Sequence, residues 1–340
     1  MIVVAGGTGI LGTRLVPRLA GRGLAVRVLT RDPVRARHLA GPGIQVVCGD
    51  IRDGAAVAGA VAGAEMVISA VHGLAGPGGV SPASVDRAGN ANLIGAAAGA
   101  GAAFVLVSVV GASPGHPIGL FRAKHAAEQI LRASGIPWTI VRATAFTETW
   151  ATIMGRPLKA SGTIPVFGRG NNPINFVSAT DVAALVELAV ADPALRGQVL
   201  ELGGPGNFTF NELAALLQET TGCAGAVRRI PRPALHATAW LAAAIRPALA
   251  RQARAALAMD TLDMTFDSGA TRQMFPGLPE TGIRSALKSV TASSDQRGCS
   301  PIEPAGIRAQ RCATANPAGE EGDPHARPRQ HRPGRARPGR

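Results

Sequence analysis

Short runs of apolar, often β-branched residues alternate with longer stretches rich in alanine and leucine over residues 1–142. Continuous apolar runs of this length are typical of parallel strands that are covered by helices on both faces. The predicted strands lie at residues 2–5, 25–30, 45–48, 66–70, 104–109 and 138–141. Six such strands with intervening helices predict an α/β fold with a Rossmann-type, doubly wound parallel sheet.

The alternation ends after residue 142, and glycine, proline and asparagine become frequent at 162–173, before a strand-like run at 174–177. We therefore predict a smaller C-terminal capping region over 143–290 that is partly interleaved with the Rossmann domain of residues 1–142. Within it, the segments Ser178 to Asp181 and Thr209 to Glu212 each precede an apolar helical run. Both match a capping box, so Asp181 and Glu212 are predicted to be structural.

Residues 291–340 show no apolar periodicity and contain many prolines and glycines, so we predict a disordered basic tail. This segment holds nine arginines and five acidic residues, whereas the whole chain has a net charge of +13. Most of the positive charge therefore lies on the predicted folded part. The tail also lacks aromatic side chains that could stack on bases, and we expect no specific nucleic-acid partner.

The sequence favours a cytoplasmic protein without a membrane partner. Its apolar runs are shorter than the roughly 18 to 20 residues that cross a bilayer, and no basic leader precedes the first strand. The four cysteines are far apart and form no C-x-x-C pair, which predicts ordinary thiols rather than a zinc site or a disulfide framework. They are Cys48, Cys223, Cys299 and Cys312.

The first predicted strand runs into a glycine-rich turn and then into a helix, with the sequence Gly6-Gly7-Thr8-Gly9-Ile10-Leu11-Gly12. In this spacing Gly6 can form the tight turn, Gly9 lets the backbone approach a pyrophosphate, and Gly12 allows close helix packing. The free amides and the dipole of the helix N-terminus favour a phosphate. The motif predicts a dinucleotide site, with a purely structural turn as the alternative.

The second predicted strand ends at Thr30, where the adenine ribose of a dinucleotide would lie. Arg31, helped by Arg35, can pair with the 2′-phosphate of NADP, so NADP(H) is the preferred cofactor and NAD(H) the second choice. Two alternatives stay open at this point. Asp32 could accept the ribose hydroxyl, or Arg31 could be a solvated surface charge.

The third and fourth strands also end at the edge of the sheet where open α/β folds bind ligands. We expect Asp50 to hold the adenine amine, although an aspartate at this position also suits a turn. The residues predicted to line the cofactor site at these two strand ends are Asp50, Ile51, Ser69, Ala70 and Val71.

The ends of the fifth and sixth strands supply two further candidates. Ser108 is predicted to lie near the nicotinamide or a substrate carbonyl, and Phe146 to line the substrate pocket. Packing at the strand ends explains either residue equally well. The histidines at positions 72, 116 and 125 form no recognisable triad or metal cluster, so no metal site is predicted.

Taken together, these segments resemble the atypical, NmrA-like short-chain dehydrogenase/reductases over about residues 1–290. The family resemblance implies an NAD(P)H-binding domain followed by a variable C-terminal part. It rests on the glycine-rich opening and on Val28-Leu29-Thr30-Arg31, Gly49-Asp50, Val107-Ser108, Lys124-His125-Ala126-Ala127-Glu128, Ser134-Gly135, Thr139-Ile140-Val141-Arg142, Ile174-Asn175-Phe176-Val177 and Asp181.

Ordinary short-chain dehydrogenases carry a catalytic tyrosine four residues before a lysine. Here that position is Leu120, and the chain contains no tyrosine. The resemblance implies that Lys124 reaches the nicotinamide ribose, and a partly desolvated lysine is also a candidate acid/base. The alternative is a lysine on the exposed face of its helix that pairs weakly with Glu128.

The leading hypothesis is an NADPH-dependent oxidoreductase that reduces a small organic carbonyl, enol or activated double bond, with Lys124 as the catalytic candidate. A non-catalytic NADP(H)-binding redox sensor is the second hypothesis. Sugar-nucleotide epimerase or dehydratase chemistry ranks third because it normally needs the absent tyrosine. The sequence names no substrate beyond a small molecule, and it is compatible with an oligomer.

Overall fold

A computed structural model of the protein describes residues 1–74, 76 and 79–295. Its strands are β1 (Ile2–Ala5), β2 (Val26–Thr30), β3 (Ile44–Cys48), β4 (Met66–Ser69), β5 (Ala103–Val109), β6 (Trp138–Ala143), β7 (Ala145–Phe146), β8 (Thr163–Phe167), β9 (Ile174–Val177), β10 (Val199–Leu202), β11 (Asn207–Phe208) and β12 (Ala226–Ile230). Each strand predicted for the central sheet is present, with its ends shifted by at most two residues.

The helices connect these strands in the order that a doubly wound fold requires. They are α1 (Gly12–Gly21), α2 (Gly54–Val61), α3 (Asn90–Gly99), α4 (Gly119–Arg132), α5 (Thr147–Ser161), α6 (Ala179–Ala191), α7 (Phe210–Thr221), α8 (Arg232–Ile245), α9 (Pro247–Met259), α10 (Gly269–Met274) and α11 (Ile283–Asp295). Two short 3₁₀ helices lie at Pro33–Leu39 and Pro193–Leu195, and a π-helical segment, Pro82–Gly89, leads directly into α3.

Within the described residues, a seven-stranded sheet has the order β3-β2-β1-β4-β5-β6-β10. Every neighbouring pair in it is parallel. The chain starts at β1, winds outward to β3, and returns to β4 before it continues to the opposite edge. This order confirms the predicted Rossmann-type, doubly wound sheet, and it leaves the end of β1 beside the point where the winding reverses.

Both faces of the central sheet are covered by helices. On one face, Leu15 and Leu19 of α1 pack with Val182 and Leu185 of α6 in one buried cluster. On the other face, α2, α3 and α4 contribute a second cluster that includes Leu93. The apolar runs of the strands are therefore buried on both sides, as their continuous hydrophobicity indicates.

Residues after 142 contribute to both parts of the molecule. β10 extends the parallel sheet beside β6, and α6 packs on α1. The remaining strands form two small sheets, β11-β9-β7 and β12-β8. They pack with α5, α7 and α11 around a further core that contains Phe176 and Phe210. The division at residue 142 stays a prediction, and two elements from 143–290 lie in the Rossmann layers.

The two predicted capping boxes have different outcomes. Thr209 and Glu212 cap α7 reciprocally, as predicted. Asp181 forms no such box, because its carboxylate instead accepts hydrogen bonds from the amide and the hydroxyl of Thr281. Glu148 takes its place at the start of α6, where its carboxylate accepts from the amide of Ala179. Asp181 is thus structural, but through a distant partner.

Further predictions concern the cysteines, the chain end and the membrane. Cys48 is disulfide-bonded, so the prediction of ordinary thiols is wrong for this residue, while Cys223 is an exposed free thiol.

Helix α11 runs to Asp295, past the predicted boundary at 290, and the predicted tail from 296 to 340 lies outside the described residues. In the described part of the chain, no helix is long and apolar enough to cross a membrane.

Asp260 connects three segments outside the central sheet. Its side chain is fully buried, accepts hydrogen bonds from the amides of Arg169 and Gly170 at 3.0 and 3.2 Å, and pairs with Arg232 at 2.6 Å. We predict that Asp260→Ala lowers the free energy of unfolding by about 3 kcal/mol, because it leaves buried donors and a cation without their acceptor. Urea denaturation followed by circular dichroism measures this loss.

Glu219→Ala is the matched control, because Glu219 pairs with Arg284 while both side chains are more than half exposed. An exposed pair contributes at most about 1 kcal/mol, so this variant should stay close to the wild type. Equal losses in the two variants would contradict the prediction.

Candidate functional site

The glycine-rich turn lies between the carboxyl end of β1 and the start of α1. Gly6 has a φ of +87°, and a Cβ there would lie 2.6 Å from the carbonyl oxygen of Ala70. A Cβ on Gly12 would lie 2.4 Å from the carbonyl oxygen of Gly6. Side chains are therefore excluded at both positions, because the turn passes tightly against the end of β4 and then folds back on itself.

Helix α1 begins without a side-chain cap, since Leu11 occupies the N-cap position. The amide of Gly9 donates to the carbonyl of Gly6 at 3.0 Å. Among the described residues, the amides of Ile10 and Leu11 have no protein acceptor. Free amides at the positive end of a helix dipole form an anion site. The turn therefore fits the pyrophosphate of a dinucleotide.

The residues after β4 lie beside this turn. The carbonyl of Ala70 is the group that a side chain on Gly6 would meet, and the carbonyl of Val71 accepts a hydrogen bond from Lys124. Ser69 is fully buried, and its hydroxyl donates to Asn90. The backbone of this strand end thus faces the turn, while the Ser69 hydroxyl is used inside the protein.

Arg31 and Arg35 are both exposed just beyond β2, where the sequence places the adenine ribose. Asp32 caps the 3₁₀ helix at Pro33–Leu39, and its carboxylate accepts from the amides of Val34 and Arg35 at 3.0 and 3.4 Å. The local cap thus occupies one carboxylate oxygen of Asp32. The exposed arginines remain available for a phosphate.

Asp50, beyond β3, pairs with Arg52 at 2.6 Å. Partial burial alone would raise the pKa of Asp50, but the hydrogen bonds from Arg52 and the charges of Arg52 and Arg31 hold it below its usual range. Asp50 is therefore an ionised acceptor close to Arg31. Its neighbour Ile51 is buried, and a side chain on Gly89 would collide with it, so Ile51 packs against the π-helical segment.

Lys124 lies inside the protein at the carboxyl ends of β4 and β5. Its side chain is 4% exposed, and its Nζ donates to the carbonyls of Val71 at 2.7 Å and Val107 at 2.9 Å. The same Nζ lies 3.2 Å from Oδ1 of Asp86, which is fully buried. The alternative of an exposed lysine paired with Glu128 is therefore wrong, since this face of α4 is turned towards the sheet.

His72 lies in the electrostatic field of this ion pair. The His72 side chain is exposed to solvent, but desolvation by the surrounding protein atoms lowers its pKa, the carboxylate of Asp86 opposes that effect, and the ammonium of Lys124 lowers the pKa further. The net shift is downward, so the imidazole is neutral at pH 7. His72 can therefore offer a hydrogen bond near Lys124 without adding a charge.

Asp86 and Asn90 were missed by the sequence analysis. Both are fully buried, and the Oδ2 of Asp86 accepts from the amide of Gly73 at 2.7 Å. The spacing of two polar residues four positions apart, which places them on one helix face, could have indicated them. Their partners are distant in sequence, so this signal alone would not have identified the ion pair with Lys124.

Ser108 and Glu128 belong to a second buried network. The hydroxyl of Ser108 donates to Glu128, which also accepts two hydrogen bonds from Arg142. These bonds raise the pKa of the Arg142 guanidinium far above its usual range. Ser108 thus has a clear structural role, and Phe146 is half-buried against the core of the Rossmann layers.

No three His, Cys, Asp or Glu residues in the described ranges cluster as a metal site.

Comparison with protein families agrees with this geometry. A family model described as NAD(P)H-binding matches residues 6–193, more than half of the chain. The chain belongs to this NAD(P)H-binding family. The match starts at the first glycine of the turn and ends beyond α6. It confirms the resemblance to NmrA-like short-chain dehydrogenase/reductases and the prediction of an NAD(P)H cofactor.

Two proteins named as reductases are similar in sequence to the chain. It is 29% identical over 224 residues to an NAD(P)H azoreductase from Xenophilus azovorans, a match that covers 65% of this chain and 74% of that protein. It is 31% identical over 227 residues to a (4-alkanoyl-5-oxo-2,5-dihydrofuran-3-yl)methyl phosphate reductase from Streptomyces griseus, with the same coverage of 65% and 74%.

A crystal structure of an NADPH-dependent quinone oxidoreductase from Escherichia coli, complexed with NADPH, has the same fold. Its TM-score is 0.68 at 24% identity, and the match covers 85% of this chain and 99% of that chain. At this identity the similarity shows the fold alone. The family match and the free amides of the turn together support the cofactor site.

We predict that Gly6→Ala weakens NADPH binding at least about tenfold and destabilises the fold by more than about 1 kcal/mol, because alanine is strained at this φ and collides with Ala70. Gly59→Ala is the control, since Gly59 lies in α2 and a Cβ there would have no atom within 4 Å. That variant should bind NADPH normally and be equally or more stable. Fluorescence titration and urea denaturation distinguish the two results, and unchanged NADPH affinity in Gly6→Ala would contradict the prediction.

Proposed function

We propose that the protein is a cytoplasmic NADPH-dependent reductase of a small organic carbonyl, enol or activated double bond. The observation that carries this proposal is the position of the Lys124 ammonium, which binds the carbonyls at the ends of β4 and β5. The glycine-rich turn follows β1 at the same carboxyl edge of the sheet. A proton donor and a dinucleotide site therefore lie at one edge. Two relatives at 29% and 31% identity are themselves named reductases, which supports the reaction class.

The preference for NADPH over NADH follows from the residues beyond β2. Arg31 and Arg35 are exposed there, and the carboxylate of Asp32 is already used as a helix cap. A guanidinium can pair with a 2′-phosphate through two parallel hydrogen bonds, whereas a free ribose hydroxyl offers it no charge. The charge on Arg31 therefore favours the phosphorylated dinucleotide.

NADPH bound at the turn would supply a hydride to the substrate. Lys124 Nζ is proposed to contact the cofactor ribose and to release a proton to the reduced substrate. The carbonyls of Val71 and Val107 orient this nitrogen, and Asp86 keeps a compensating negative charge beside it. Ser108 and Phe146 are proposed to line the adjoining pocket. Lys124 would thus do the work that a tyrosine does in ordinary short-chain dehydrogenases.

A non-catalytic NADP(H)-binding sensor is the second candidate function. It is favoured by the bonding of Lys124, whose two hydrogen bonds and ion pair all involve protein groups. An ammonium held in this way would stabilise the carboxyl ends of β4 and β5 and need not transfer a proton. The two candidates differ in turnover, because a sensor binds NADPH but does not oxidise it in the presence of an acceptor.

We predict that Arg31→Ala weakens NADPH binding about tenfold, the loss expected for one charged hydrogen-bonded pair. NADH binding should change less than about twofold, because NADH lacks the 2′-phosphate. Arg37→Ala is the control, since Arg37 is an exposed arginine on the adjoining 3₁₀ helix. Tryptophan fluorescence titration measures both cofactors, and equal weakening for NADPH and NADH would refute the assignment of Arg31.

We predict that the wild type oxidises NADPH in the presence of a quinone, azo or carbonyl acceptor, as followed at 340 nm. The double variant Lys124→Met with Asp86→Asn removes both buried charges together, so that neither is left unpaired. It should still bind NADPH while its kcat falls by a factor of about 100 or more, the contribution of a general acid. Ser108→Ala, which removes a hydroxyl bonded to Glu128, should reduce kcat by less than about tenfold.

Full turnover in the double variant would remove Lys124 from the mechanism. NADPH binding by the wild type without oxidation by any acceptor of the panel would favour the sensor. Failure of the wild type to bind either dinucleotide would overturn both candidates.

A further inference from the structure

A cleft of about 390 Å³ lies between the π-helical segment at Pro82–Gly89, the start of α4 and helix α9. Its charged lining consists of Arg87, Arg122, Arg251 and Arg254, and the residues that line it include no acidic side chain. We call this site the arginine cleft. Four guanidinium groups around so small a volume create a strongly positive local potential.

Three of the four arginines of this cleft donate hydrogen bonds to backbone carbonyls. Arg251 donates to the carbonyl of Val80 at 2.8 Å, and Arg254 donates to the carbonyl of Ala239 at 3.2 Å. Arg122 donates to the carbonyl of Pro117 at 3.0 Å. These bonds orient the side chains but leave most of their five donor hydrogens unused.

Among the described residues, none of the four arginines of the cleft forms an ion pair. Other arginines of the chain do have acidic partners: Arg18 and Arg22 pair with Glu187, and Arg142 pairs with Glu128. Four arginines without an acidic partner among the described residues therefore line this one cleft. Planar guanidinium groups with free donors are suited to carboxylate, sulfonate or phosphate oxygens.

The rest of the cleft wall is mainly apolar, with Leu74, Ile118 and Leu120 among its lining residues. A volume of this size suits a small organic molecule and is too small for a nucleic-acid strand. Apolar walls with several converging cations therefore favour a ligand that has an apolar body and one acidic group.

The arginine cleft adjoins the Lys124 site. Ala123 lines the cleft, whereas the next residue, Lys124, turns towards the sheet. In addition, Val71 bonds Lys124, and the nearby residues Leu74 and Ser81 line the cleft. A molecule held in the cleft would therefore contact the turn of α4 that carries the proposed proton donor.

We infer that the arginine cleft binds the carboxylate, sulfonate or phosphate group of an apolar organic molecule, and that this acid is the substrate. The inference of an anion-binding site depends only on the residues that line the cleft. The inference that the bound acid is the substrate rests on the proposed reductase function. The substrate class is accordingly an organic acid that also carries a reducible carbonyl, enol or activated double bond.

The test uses naphthalene-2-sulfonate as the probe and the full chain as the protein, with binding measured by isothermal titration calorimetry. Naphthalene-2-sulfonamide serves as a neutral probe of nearly the same shape. We expect the sulfonate to bind the wild type at least about tenfold more tightly than the sulfonamide, because only the sulfonate pairs with guanidinium groups. Equal affinities would overturn the inference.

The double variant R87Q/R254Q should weaken sulfonate binding at least about tenfold, since it removes two of the cations. R228Q/R229Q is the matched control: it removes the same net charge from two exposed arginines of β12 that do not line the cleft. It should change the affinity less than about twofold. Equal losses in the two double variants would show non-specific attraction and would overturn the inference, as would absence of sulfonate binding to the wild type.

Two further readouts separate the cleft from the proposed function. NADPH affinity should be the same in R87Q/R254Q and the wild type, because these arginines lie outside the glycine-rich turn. During turnover, naphthalene-2-sulfonate should inhibit competitively against the substrate and not against NADPH, and any other pattern would overturn the substrate assignment. Sulfonate binding that maps to the cleft in a protein without turnover would uphold the binding site and refute the reductase.

Discussion

The buried ammonium of Lys124 is the interaction on which the cofactor edge of the sheet depends. A charge in the protein interior must be compensated, and removal of one partner of such a pair costs about 3 to 5 kcal/mol. Lys124 meets this requirement through the ends of two adjacent strands and through Asp86 on the π-helical segment. These groups come from three separate elements. The Lys124 side chain therefore holds the ends of β4 and β5 and the π-helical segment in fixed positions relative to one another.

Helix α1 is positioned by a second set of charges. Arg18 of α1 and Arg22, the residue after α1, both pair with Glu187 of α6. Arg14 pairs with Glu148, which also accepts hydrogen bonds at the start of α6. The helix whose free amides face the cofactor is thus tied to elements from the later part of the chain. The packing of α5 and α6 therefore helps to hold α1 and its free N-terminal amides in position.

Two sets of arginines in the protein have different electrostatic surroundings that composition alone does not distinguish. One set is compensated by buried carboxylates: Glu187 of α6 pairs with Arg18 of α1, and Glu128 of α4 pairs with Arg142 of β6. The other set lines the arginine cleft, where Arg122, Arg251 and Arg254 donate to backbone carbonyls. Some of the arginines behind the net charge of +13 thus form structural ion pairs, whereas those of the cleft have no acidic partner in the described part of the chain and can attract an anion.

The amino-acid sequence by itself determined the features that depend on neighbouring residues. The β-branched runs predicted the strands, the spacing of Gly6, Gly9 and Gly12 predicted the turn, and Thr209 with Glu212 predicted a helix cap. Each of these follows from steric or hydrogen-bonding rules within a few residues.

Only the tertiary structure decided the contacts between residues that are distant in the chain. It joined Asp86 to Lys124, moved Asp181 from a local cap to Thr281, and brought α9 beside α4 to form the arginine cleft. Such pairings depend on which helices cover which face of the sheet, and local patterns carry no information on that choice. Charged and hydroxyl side chains can satisfy the same hydrogen-bonding needs locally or at a distance, so the completed fold selects the partner.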